Sequence, residues 1–187
     1  LETLRYEIAI DAAKASDMVM AFANLMRYSI YYGSTIVPLQ TDIEYINDYL
    51  LLQKMRYNRR LNYHIDIPEE LMGCKIPKLL LQPVVENSLV HGMKDIRSIA
   101  INISAWKEKG QLKLCVEDNG SGIREEKLEE LRKGLEREDV YREHIGLYNS
   151  HRVVRLLYGP ESGMTIESSP GNGTKVTVTL PADMEEI

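Results

Sequence analysis

The hydrophobic period of the chain changes at about Leu61, from helical to alternating, and this limits the fold to a helical segment joined to a domain that contains a sheet. Before the change, Leu1, Leu4 and Ile8 fit one helical stripe, and Ala15, Met18, Phe22 and Leu25 fit a second at three-and-four spacing. Gly33 and Pro38 break the run. Thr41, with Glu44 three residues on, forms a capping-box pattern for a helix carrying Ile43, Ile46 and Leu50 to about Tyr57. The tyrosines clustered here (Tyr28, Tyr31, Tyr32, Tyr45, Tyr49, Tyr57) read as semi-buried packing residues with wet hydroxyls. After the change, Leu61, Tyr63, Ile65 and Ile67 alternate with Asn62, His64 and Asp66, the pattern of a half-buried strand. Leu79 to Gly92 reads as one amphipathic helix, opened by Pro77 and stopped by Gly92. Strands follow at Ile99–Trp106 and Gln111–Asp118, joined by a hairpin turn, Lys-Glu-Lys-Gly. A charged loop and helix fill Ser121–Ile145, a helix runs from Ile145 to Tyr158, and strands close the chain at Met164–Ser168 and Thr174–Leu180. The expected class is α+β, with helices on one face of a mostly antiparallel sheet.

Several function classes drop out on composition. The net charge is −5 and no basic stripe stands out, which argues against nucleic acid as a partner. Cys74 and Cys115 have neither metal-type nor disulfide-type spacing, so a reducing cytoplasm is expected. No apolar run approaches the roughly 18 residues that would span a bilayer, and no signal peptide is expected.

Four short stretches can carry chemistry. On a helix from Leu79 to Gly92, Asn87 and His91 lie one turn apart beside an apolar face, where they either line a polar pocket or are simply solvated. Asp118-Asn119-Gly120-Ser121-Gly122-Ile123 follows a hydrophobic strand directly. It is either an ordinary turn or an acceptor with a backbone that can lie against a flat ring. Gly146-Leu147 opens a helix, where free N–H groups can receive phosphate. Gly171-Asn172-Gly173-Thr174 precedes the last strand.

In this order the stretches ENSLVHG, DNGSGI, GL and GNGT resemble the nucleotide boxes of the ATPase fold shared by histidine kinases, type II topoisomerases, a heat-shock chaperone class and mismatch-repair ATPases. VPLQTDIEYINDYLLLQKMRY, IPKLLLQPVVENSLVHG, IGLYNSHRVV and GNGTKVTVTLP are similar to sensor histidine kinases of the LytS/YesM type. The resemblance implies a two-layer α/β sandwich, the Bergerat fold, over residues 59–187, preceded by a helical dimerisation segment over 1–58. It implies ATP and Mg²⁺, with Asn87 as metal ligand and His91 near the nucleotide. Asp118 is implied to accept from the adenine amino group, with Gly120 and Gly122 clearing room for the base. Gly146, Leu147, Gly171 and Gly173 would bound a lid and floor, and Thr174 would support the adenine contact. The charged stretch Arg124–His144 matches the lid.

Two positions depart from the family pattern. Val90 stands where relatives commonly carry Lys or Arg, so Lys94 or Arg97 is the candidate phosphate contact. Pro83 stands where hydrolysing relatives place a water-activating Glu. Glu86 points about 100° away from Asn87 around a helix, so slow hydrolysis is expected. The family's acceptor His lies in an H-F-x-F-N-like motif, and none of His64, His91, His144 and His151 has that setting. The chain is therefore expected to begin just after its acceptor, as the cytoplasmic part of a homodimeric kinase serving a response regulator, with any membrane anchor on segments outside it. An anti-sigma-type serine kinase and a non-catalytic nucleotide-gated module are the alternatives.

Overall fold

The computed structural model describes residues 11–31, 33–94, 96–136 and 145–182. The stripe at Leu1, Leu4 and Ile8, Tyr32, and residues 137–144 of the charged stretch, with His144, lie outside them. Helices α1 (Ala12–Tyr31) and α2 (Leu39–Tyr57) form an antiparallel pair, with Asn24 Nδ2 donating to Asp48 Oδ2 at 2.9 Å. A two-stranded ribbon, β1 (Ile36–Pro38) with β3 (Lys75–Pro77), ties their junction to the rest of the chain. The main sheet contains β2 (Leu61–Asp66), β4 (Ile99–Glu108), β5 (Gln111–Asp118), β6 (Gly163–Ser168) and β7 (Thr174–Pro181), in the order β2-β4-β5-β7-β6. Only the β2–β4 pairing is parallel. Helices α3 (Gln82–Asn87), α4 (Glu125–Glu136) and α5 (Ile145–Tyr158) cover one face.

The strand register explains both the core and the site. Ile103, Val116, Val176 and Ile166 sit side by side across four strands, and so do Ala105, Leu114, Val178 and Met164. All are buried, because partners in register share a face and this face carries the helices. Two residues along, the same face reads Ile101, Asp118, Thr174 and Ser168. Alternation thus carries an apolar face into one polar row at the end of the sheet. The opposite face, with Lys113, Glu117, Lys175 and Thr177, is polar in sequence. Between β4 and β5 the chain turns on Lys109 and Gly110, both at positive φ (51° and 76°), the handed turn that matches strand twist.

Three expectations are corrected. Thr41 does not cap α2, which begins at Leu39 and has no side-chain cap. The N–H groups of Leu39 and Gln40 instead donate to the carbonyls of Cys74 (2.7 Å) and Met72 (2.9 Å), so tertiary backbone contacts replace the capping box. The helix expected from Leu79 starts at Gln82, because Pro77 belongs to β3 and Leu79 adopts a φ of 60°. It then widens into a π-turn over Ser88–Gly92. The third concerns the tyrosine hydroxyls: Tyr28 is buried and its hydroxyl donates to Asp42 at 2.9 Å.

Candidate functional site

The polar row is built from neighbours distant in sequence. Asp118 is 4% exposed at the end of β5. Its Oδ2 accepts from Ser88 Oγ at 2.7 Å, and its Oδ1 accepts from the N–H groups of Gly120 (2.8 Å) and Thr174 (3.3 Å). Burial pushes its pKa above the ordinary carboxylate value, although those donors pull the other way. An anion under-compensated in this way gains from one more donor. Ser168 organises the next strand: its Oγ donates to the Gly173 carbonyl at 2.6 Å, lies 3.1 Å from Thr174 Oγ1, and accepts from Ile123 N–H at 2.9 Å.

Above this row lies a cavity of about 50 Å³. Its wall is apolar, with Val84, Ile123, Leu131, Leu147, Ile166 and Val176, and its polar edge carries Asn87, Ser88, His91, Asp118 and Thr174. Asn87 Nδ2 donates to the Pro83 carbonyl at 2.8 Å, which orients the carboxamide so that its oxygen points away from that carbonyl. An oxygen held at the edge of a pocket fits a hard cation such as Mg²⁺. His91 is exposed at the pocket edge, and its carbonyl accepts from Ser121 Oγ at 3.2 Å.

The structure brings Asn87, His91, Asp118, Gly122, Leu147 and Thr174 to one cavity, while Gly120, Gly146, Gly171 and Gly173 do not line it. Gly120, Gly146 and Gly173 serve close approach of neighbouring atoms instead. A Cβ at Gly120 would meet Gly92 Cα at 2.5 Å, and one at Gly146 would meet Pro83 Cβ at 2.9 Å. One at Gly173 would collide with the Asp118 carbonyl. Gly171 donates its N–H to the Ser121 carbonyl at 2.8 Å, closing the loop against the turn after β5. Sequence reasoning missed Ser88 and Ser168. A small polar residue four after Val84 and three after Val85, in line with the apolar stripe of the helix, was the available signal for Ser88. Ser168 becomes legible only once the strand register is known.

Fold and site define a class, and the family described as "Histidine kinase-, DNA gyrase B-, and HSP90-like ATPase" matches residues 75–184. The chain belongs to that family, and the family described as "Histidine kinase" matches residues 1–61. Among individual proteins, Sensor histidine kinase YesM of Bacillus subtilis (strain 168) is 34% identical over 92% of this chain and 28% of its own length. Sensor protein kinase HptS of Staphylococcus aureus (strain USA300) is 29% identical over 97% of this chain and 35% of its own. This chain is thus similar to sensor histidine kinases while spanning about a third of their length. The fold is shared with the histidine kinase domain of the Erythrobacter litoralis EL346 blue-light activated kinase, with a TM-score of 0.57 at 17% identity over 97% of this chain and 85% of that one. The catalytic domain of histidine kinase ThkA gives 0.61 at 15% identity over 81% and 98%. No helix among the described residues is long and apolar enough to cross a membrane.

Proposed function

We propose that this chain is the catalytic portion of a cytoplasmic, dimeric sensor histidine kinase that transfers the γ-phosphoryl of ATP to a histidine, for relay to a response-regulator aspartate. The observation that carries the reading is Asp118, a buried carboxylate on the wall of an apolar pocket. An adenine amino group supplies the donor this anion lacks, whereas the guanine oxygen at the same place would face it acceptor to acceptor. Thr174 and Ser88 hold the carboxylate in place, and Asn87 would hold Mg²⁺ through its oxygen. The metal's contribution is to neutralise phosphate charge as the phosphoryl group moves. Leu147, Leu131 and Ile123 exclude water from the base, and Gly146 lets α5 sit against Pro83 at the edge of the site.

Two functional parts, residues 1–58 and 59–187, divide the work: dimerisation with acceptor docking, and nucleotide chemistry. His64 is exposed on β2, His91 edges the pocket and His151 is buried against β6, and the proposal assigns the acceptor role to none of these three. Mixed with labelled ATP and a helical fragment bearing an H-F-x-F-N-like segment, the chain should label that fragment on His, giving an acid-labile, base-stable product. Acid-stable label on serine would favour the anti-sigma reading. ATP binding without transfer to any histidine would leave a nucleotide-gated module.

A further inference from the structure

The turn that launches α3 is fastened to the helical pair from two sides. Lys78 Nζ donates to the Ser29 carbonyl at 3.2 Å and lies 5.2 Å from the centre of the Tyr28 ring, while the Lys78 N–H donates to the Thr35 carbonyl at 2.9 Å. From beneath, the fully buried Asp42 of α2 gathers three donors. Its Oδ1 accepts from the Tyr28 hydroxyl at 2.9 Å and from Leu79 N–H at 2.7 Å, and its Oδ2 accepts from Leu81 N–H at 3.4 Å. Leu79 has a φ of 60°, a conformation that a leucine keeps only where its surroundings impose it. Leu81 is the residue directly before α3, which ends at Asn87.

We infer that Asp42 is a positioning residue for the helix that carries Asn87, and that through Tyr28 it couples the packing of α1 to occupancy of the nucleotide site. An apolar side chain of similar size would fill this volume without desolvating a charge, but it would take the acceptors from the part-buried Leu79 N–H and the buried Leu81 N–H. The carboxylate is what holds the turn. Desolvation raises its pKa despite these donors, so the arrangement is kept against a penalty. Because Tyr28 shares the same oxygen with Leu79, a shift of α1 alters the bond that fixes the entry to α3. Coupling between two equilibria is reciprocal, so ligand at the site must also bias α1. The inference rests on the nucleotide reading of the pocket.

The test is amide hydrogen exchange on the whole 187-residue chain with and without Mg-ADP, alongside calorimetric titration. In the parent, ADP should slow exchange over residues 79–87 and also over 24–30. Asp42→Asn should weaken ADP binding roughly tenfold, the effect of losing one buried hydrogen bond and misplacing the helix, and should abolish the response in α1. Tyr28→Phe should keep the response at 79–87 and lose the one in α1. If Asp42→Asn does not fold, Tyr28→Phe decides alone. Protection at 79–87 with no change over 24–30 in the parent would overturn the coupling and leave the nucleotide reading intact. An Asp42→Asn chain that melts earlier yet binds ADP as tightly as the parent would make Asp42 merely structural. No ADP binding by the parent would sink both.

Discussion

At the scale of single residues, the site is governed by what each polar atom already has. Asp118 has three donors and is still held above the usual carboxylate range, so its remaining lone pairs decide which ligand enters. On the proposed nucleotide reading, Asp118→Asn puts a donor where the adenine amino group needs an acceptor. It should weaken ATP binding by about 1–3 kcal/mol and erode the preference over GTP, as calorimetry with both nucleotides would show. Asn87→Ala should reduce affinity for ATP in Mg²⁺ and leave metal-free binding close to the parent's, and equal loss under both conditions would remove the metal role. Glycine at position 120 has a different logic, since its missing side chain is the space the Gly92 backbone occupies. Gly120→Ala should lower stability by about 1–3 kcal/mol through overpacking. Gly73→Ala, with nothing within 4 Å of the added methyl, should stay within about 0.5 kcal/mol in the same denaturant titration.

At the scale of elements, strands were more legible than helix starts. Gln111–Asp118 and Ile145–Tyr158 read correctly to the residue, because strict alternation and an uninterrupted amphipathic stripe are local signals. The start of α3 and the ribbon β1–β3 were not legible, because both depend on partners more than 35 residues away, Asp42 for the turn and Ile36 for Pro77. Asp118 and Thr174 were visible as motif residues, but their shared row was not, since register is a tertiary property. Helix α5 adds a device that its sequence hides. His151 is buried and its Nδ1 accepts from the Met164 N–H at 2.9 Å, so the neutral ring carries its proton on Nε2, which has no hydrogen-bond partner among the described residues. Burial, and then the Arg155 charge, lower its pKa from 6.5. The unfolded chain therefore binds a proton more readily than the folded one as pH falls below 6.5, and stability drops until the folded pKa is passed. His151→Asn offers an oxygen in place of Nδ1 without titrating, so thermal melts of this variant should lose that component of the acid sensitivity.

At the scale of the whole molecule, the helical pair and the sheet share one continuous core, in which Leu39, Ile46 and Leu50 join the sheet residues. The outer side of α1 keeps Val19, Phe22, Met26 and Ile30 exposed at helical spacing. Covering that stripe with a second copy should give a reversible dimer by analytical ultracentrifugation, weakened by Phe22→Glu, and a strict monomer at high micromolar concentration would count against it. The strand order has a temporal consequence. β6 leaves the ribosome before β7, yet among the described residues its one neighbour in the sheet is β7, which also supplies the Thr174 N–H to Asp118. A nascent chain ending before residue 174 thus carries the earlier motifs and still lacks the strand on which β6 pairs. The pocket that Asp118 lines is therefore completed only once residues 174–181 have been made and β7 has docked beside β5.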